Sequence, residues 1–159
     1  MTHDAPDDLV RAATPADAAA IARHRVRLFQ GLAAPERHDE MERFLEPTRE
    51  LLAGMLADGS SLAWLAGAGD PAGSLVMHLV RRLPSPTSPE GREGYVIHAY
   101  VDPARRDAGL GAAMLAAAEA EGRRLGLSRI RLHSSDRAVP FYRRAGYQIR
   151  TNDLERMLR

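Results

Sequence analysis

The stretch "YVIHAYVDPARRDAGLGAAML", Tyr95–Leu115, decides how this chain is read. Five of its first seven residues are Val, Ile or Tyr, the composition of a buried strand. Asp102-Pro103 then breaks the strand, two arginines follow, and Gly109 and Gly111 lead into an alanine-rich helix. Strand, glycine loop and helix in that order make an anion site or an ordinary turn. A Walker loop needs Lys after its second Gly, and the chain has none. A dinucleotide fingerprint needs Gly where Met114 stands, and needs the strand to run straight into the first Gly, whereas "DPARRDA" intervenes. The remaining possibility is a helix N-terminus whose unpaired amides, from about Arg106 to Ala112, receive an anion. Against it stands a capped helix, in which Asp107 accepts from the first-turn amides. The residues of the loop leave both open.

Working outward, "LVRAAT" reads as a short strand. Thr14 then caps a helix with Pro15 at its first position and Asp17 in its first turn. Ala18, Ile21, Ala22, Val26 and Phe29 keep helical spacing as far as Gly31. A second helix is expected over Glu36–Ala57, broken or kinked at Pro47. "SLAWLAGAG", "GSLVMHLVRRL" and "YVIHAYV" read as strands, with the Pro-rich loop Pro84–Gly94 before the third. After the helix Gly109–Gly126 come a strand "SRIRLHS", a short helix "RAVPFYRRAG" and two expected strands, "YQIR" and "LERML". The order is β-αα-βββ-α-β-α-ββ. It describes one α/β domain over residues 9–159, with a frayed tail at 1–8.

The chain's 159 residues suffice for one core, and 45% apolar content excludes wholesale disorder. With no cysteine there is no disulfide, thiolate zinc site or thiol nucleophile. No signal peptide or membrane-length apolar run is evident, so a cytoplasmic protein without a membrane partner is expected. All 22 basic residues are Arg. Residues 1–104 carry 10 Arg against 15 Asp and Glu, a net of −5; residues 105–159 carry 12 against 6, a net of +6. The basic C-terminal third suits a polyanionic ligand. Aromatics make up only 5% and do not interleave with arginines, so nucleic acid is not the expected polyanion.

Two segments carry a resemblance. Arg106-Asp107-Ala108-Gly109-Leu110-Gly111, following the strand, is similar to the Arg/Gln-x-x-Gly-x-Gly/Ala loop of the GCN5-related N-acetyltransferase (GNAT) superfamily. Ser135 to Tyr147, "SDRAVPFYRRAGY", resembles its Asn-x-x-Ala-x-x-Phe-Tyr-x-x-x-Gly-Phe/Tyr segment. The element order agrees over nearly the whole chain. The resemblance implies a mixed, mostly antiparallel twisted sheet flanked by helices on both faces. It also implies an acetyl-CoA donor and an amine acceptor, and homodimers are common in similar proteins. The pantetheine arm would bond to the backbone of Ala99, Tyr100 and Val101. The pyrophosphate would rest on the amides of Arg106, Asp107, Ala108, Gly109, Leu110, Gly111 and Ala112.

For catalysis, Tyr142 stands where the family has a tyrosine acid near the departing thiolate. A phenol of pKa ~10 can protonate a thiolate whose conjugate acid is near ~8.5. A backbone amide near Ala99–Val101 would polarise the carbonyl. The family's usual Glu is Ile97 here and its usual Asn is His98. His98 and the upstream Glu93 are the candidate bases, and an amine that binds already neutral would need neither. Ser135 replaces an Asn that often contacts the pantetheine arm. These departures keep a second class in view, a catalytically weak acyl-CoA-binding sensor domain. His78, His98 and His133 sit on three consecutive strands without a short-spaced ligand motif, so no metal is expected. Trp64 and Tyr100 are candidates for lining the acceptor site, with core packing as the plainer role.

Overall fold

The computed structural model describes residues 10–150 and 154–158. Five strands form one sheet in sequence order: β1 (Val10–Ala12), β2 (Ser61–Ala66), β3 (Gly73–Arg81), β4 (Arg92–Val101) and β5 (Ile130–Leu132). The first three junctions are antiparallel, and β4 and β5 are parallel. A parallel pair needs a crossover, which α4 (Leu110–Arg124) supplies.

Alternation along the strands sorts the core into two layers. Trp64, Ala66, Leu75, Met77 and Val96 face one way and pack under Leu110, Met114, Leu115 and Ala118 of α4. Ala63, Leu65 and Val76 face the other way, against Ala18 and Ile21 of α1 (Ala18–Leu32) and Leu52 of α3 (Leu45–Ala57). Helices therefore cover both faces, as expected.

Local chemistry sets the boundaries. Asp17 accepts the Thr14 amide at 2.8 Å and the Arg11 guanidinium at 2.7 Å, which holds its carboxyl well below the usual range. The Glu36–Ala57 segment does break, but at Arg43–Phe44, between α2 (His38–Glu42) and α3. Pro47 falls in the first turn of α3, where its missing N–H has no intrahelical partner to lose. β4 starts at Arg92, ahead of the expected Tyr95, pairing with Arg81. Among the described residues neither 147–150 nor 154–158 is a strand. Ile149, Leu154, Met157 and Leu158 are exposed. With no strand hydrogen-bonded to them, their alternation has no sheet to bury it. The tail at 1–8 lies outside the described residues.

One irregularity shapes everything downstream. Val76 pairs with His98 but Met77 pairs with Val96, so Ile97 is an extra residue, a β-bulge in β4. Just before it the parallel neighbour stops. β5 accompanies β4 only from Gly94 to Val96.

Candidate active site

Beyond Val96 β4 runs on toward the glycine loop with β3 on one side, and its other edge is open among the described residues. The Asp102 amide donates to Ala72 O at 2.8 Å, so residue 102 is turned toward β3. By the antiparallel ladder's alternation Tyr100 is turned that way too, whereas Ala99 and Val101 direct their N–H and C=O groups outward. Arg106 Nε donates to the Val101 carbonyl at 3.2 Å. The Ala99 pair and the Val101 amide remain on the open edge.

The loop beyond is built for exposed amides. After a 3₁₀ turn at Pro103–Arg105, Asp107 and Gly109 adopt left-handed backbone, with φ of 62° and 82°. The first in-helix bond of α4 is Ala113 N to Gly109 O, 2.9 Å. Among the described residues, no acceptor bonds the amides of residues 107–112, and no side chain caps α4. That removes the capped-helix reading of the loop. Asp107 does not cap the helix, and the positive dipole end stands open. The Arg106 amide alone is spent, on Pro103 O at 3.4 Å.

The backbone treats the loop's two glycines, Gly109 and Gly111, differently. Gly109 needs its positive φ. Gly111 has no such φ, and a Cβ there would meet Phe141 Cζ at 3.5 Å and Val101 Cγ2 at 3.7 Å, ordinary contacts. The protein itself does not demand glycine at 111.

Phe141 belongs to α5 (Val139–Arg144), so this contact seats α5 beside the loop. Tyr142 follows, its ring edge-on to Phe141 and Tyr147 at 5.0 and 5.7 Å. Burial raises its hydroxyl above the ordinary phenol value, so it stays protonated at neutral pH. Ser135 is exposed at the start of the 3₁₀ turn before α5, where its carbonyl accepts the Ala138 amide at 2.9 Å.

The two candidate bases part company. Glu93 is buried near the far end of β4, about 16 Å of strand from His98. There Arg82 Nε and Arg129 Nε each stand 2.8 Å from its carboxylate. This carboxylate holds β3, β4 and β5 together by charge, away from the open edge. His98 adjoins the bulge and points to the α1 face. Its Nε2 lies 2.9 Å from Ser74 Oγ, which lies 2.9 Å from His24 Nδ1. Burial, with Arg25 nearby, pushes His98 down to about 3, so the ring is neutral.

The other candidates lie apart. Trp64 is in the core under α4. Tyr100 packs on the His24 ring at 4.9 Å and donates to Asp102 at 2.8 Å. His78 is hydrogen-bonded to Ser61 at 2.9 Å and His133 is exposed. His24 and Ser74 escaped the sequence reading. Their one signal was position: His24 follows Ile21 on the inward face of α1, and Ser74 shares the face of Val76.

The acetyltransferase (GNAT) family model matches residues 20–147. A GCN5-related N-acetyltransferase of Ralstonia eutropha JMP134 is 28% identical, with 94% of this chain and 97% of that one covered, at a TM-score of 0.82. A predicted acetyltransferase of Clostridium acetobutylicum, solved with acetyl-CoA, is 23% identical over 94% and 95% of the two chains, at 0.79. An acetyltransferase of Trypanosoma brucei is 21% identical over 94% and 98%, at 0.68. No curated protein matches this sequence.

Proposed function

The chain belongs to the acetyltransferase (GNAT) family, and from that premise we propose that it moves an acetyl group from acetyl-CoA to a primary amine of a small molecule or peptide, by direct attack in a ternary complex. One observation carries the reading: two unpaired backbone surfaces adjoin, the open edge of β4 at Ala99 and Val101 and the free amides of residues 107–112. The first suits an extended amide-bearing arm and the second a pyrophosphate.

In this reading the pantetheine arm bonds to Ala99 N–H and C=O and to the Val101 amide, completing the ladder that β5 abandons. The Ser135 hydroxyl, across the gap, contacts the same arm. The pyrophosphate rests on the amides from Asp107 to Ala112, and Gly111 admits it. The two arginines at 105 and 106 add charge.

The reaction needs a polarised carbonyl, a neutral amine and a protonated leaving group. A β4 backbone amide serves the first. His98, neutral and next to the bulge, accepts a proton from the amine, and the protonated Tyr142 donates to the departing thiolate. Support for Tyr142 is its place on α5 beside the loop and the burial that keeps its proton.

The test is free-thiol release from acetyl-CoA with a panel of amines, polyamines, amino acids, aminoglycosides and peptides. The expected result is release above hydrolysis with at least one class, matched by an acetylated product in the mass spectrum. Acetyl-CoA binding without release across the panel would make this a sensor domain instead. Absence of binding would overturn the donor assignment.

A further inference from the structure

His24, Ser74 and His98 form a continuous hydrogen-bonded chain between α1, β3 and β4, and its proton positions follow from its outer end. His24 Nε2 lies 3.0 Å from the Pro71 carbonyl, which can only accept, so Nε2 carries a proton. A neutral His24 then accepts at Nδ1, and Ser74 donates to it across 2.9 Å. The Ser74 oxygen in turn takes the Nε2–H of His98 across 2.9 Å. His98 is left with a lone pair at Nδ1, a buried atom without a partner among the described residues.

His98 itself lies in the stretch of β4 beyond Val96, where β5 no longer pairs with the strand. An unmet buried acceptor costs about 1–3 kcal/mol, a penalty that an entering N–H donor relieves.

Resting on the acetyltransferase reading above, we propose that His24 and Ser74 are positioning residues that hold His98 in its Nε2–H tautomer, present its Nδ1 lone pair to the acceptor amine, and carry away the proton. As the amine nitrogen bonds to the acetyl carbon, one N–H proton passes to His98 Nδ1. The His98 Nε2 proton moves to Ser74 Oγ, and the Ser74 hydroxyl proton moves to His24 Nδ1. His98 ends as the other neutral tautomer, Ser74 is restored, and the cation is His24. The C–S bond breaks, and the thiolate takes the Tyr142 proton. The phenolate and the imidazolium then reset by exchange with solvent as products leave.

Burial opposes a cation on both rings, so the surrounding charges decide between them. Asp102, after β4, and Asp70, in the β2–β3 turn, both favour a cation on His24, while Arg27 of α1 opposes it. Around His98, Arg25 of α1 and His24 itself oppose a cation. Arg25 is held there by its bond to the Ile97 carbonyl at 3.1 Å. Tyr100 adds a hydroxyl already committed to Asp102. A proton entering at His98 is thus passed on rather than kept.

Nitrogen-15 NMR of histidine-labelled full-length protein near pH 7 reads the tautomers without any turnover. The expected spectrum has His98 protonated at Nε2 and bare at Nδ1; His98 protonated at Nδ1 overturns the proposal. In parallel, Ser74→Ala should lower kcat at least tenfold with KM for acetyl-CoA within about twofold, and should move the limb of the pH–rate profile that reports the base. Wild-type kcat with an unmoved profile would likewise overturn it. If the wild-type protein itself releases no thiol with any amine, the acetyltransferase reading fails and takes this inference with it. Failure of the tautomer or the Ser74 result alone leaves that reading standing.

Discussion

Val96 and His98, two residues apart in one strand, face opposite sides of the sheet: Val96 packs under α4, and His98 reaches Ser74 and His24 on the α1 side. In a regular strand they would share a face. The extra residue Ile97 reverses the alternation, and the bulge directly follows Val96, the last residue that β5 pairs. One insertion therefore turns a histidine out of the α4 core at the point where the edge opens.

A buried neutral histidine makes stability depend on pH. His98 is held near about 3 and His24 below its usual value, both chiefly by burial, whereas an unfolded histidine titrates near ~6.5. Below that value the unfolded chain binds protons the fold refuses. Stability is complete above about pH 6.5 and falls as pH drops toward 5, by up to ~1.4 kcal/mol per pH unit for each excluded proton. Denaturant melts across that range should show the slope, and His98→Gln should flatten it. An equal slope in the variant would mean His98 is not held neutral.

Tyr142→Phe keeps the ring contacts with Phe141 and Tyr147 and removes only the hydroxyl. The fold should persist, and kcat should fall by about 10²–10³ with a smaller change in KM for acetyl-CoA. Steady-state thiol release checks this, and an unaltered rate would remove Tyr142 as the acid.

Glu93→Gln should act on stability. The carboxylate is 2% exposed between Arg82 and Arg129, whose side chains are 46% and 40% exposed, so solvent moderates the loss to about 1–3 kcal/mol. The melting temperature should drop by several degrees. A fall in kcat beyond the loss of folded protein would return Glu93 to the role of base.

Much of this was legible in the sequence where function and local backbone chemistry coincide. The glycine loop and the crossover helix are carried by short-range signals, a proline stop, glycines and helical spacing, whereas the two-sided packing followed from the family resemblance. What stayed hidden depends on register. Nothing local says that Ile97 is skipped by β3, so the facing of His98 could not be read. His24 and Ser74 meet across 50 residues of chain. Glu93 is the carboxylate upstream of His98 in sequence, but about 16 Å of extended strand separates the two. The break in the Glu36–Ala57 segment was placed at Pro47 because proline breaks a helix interior; in a first turn it does not.

The central claim is that the amides at the head of α4 receive the pyrophosphate of acetyl-CoA, and Gly111 tests it most directly. Gly109→Ala would strain a backbone held at φ 82° and confuse folding with binding. Gly111→Ala adds one methyl that the protein accommodates at 3.5 Å and 3.7 Å, so the melting temperature should hold or rise slightly. Calorimetric titration with acetyl-CoA should then show binding to the wild-type protein and an affinity at least about tenfold weaker in the variant, ~1.4 kcal/mol. Equal affinity in the two proteins would contradict the account.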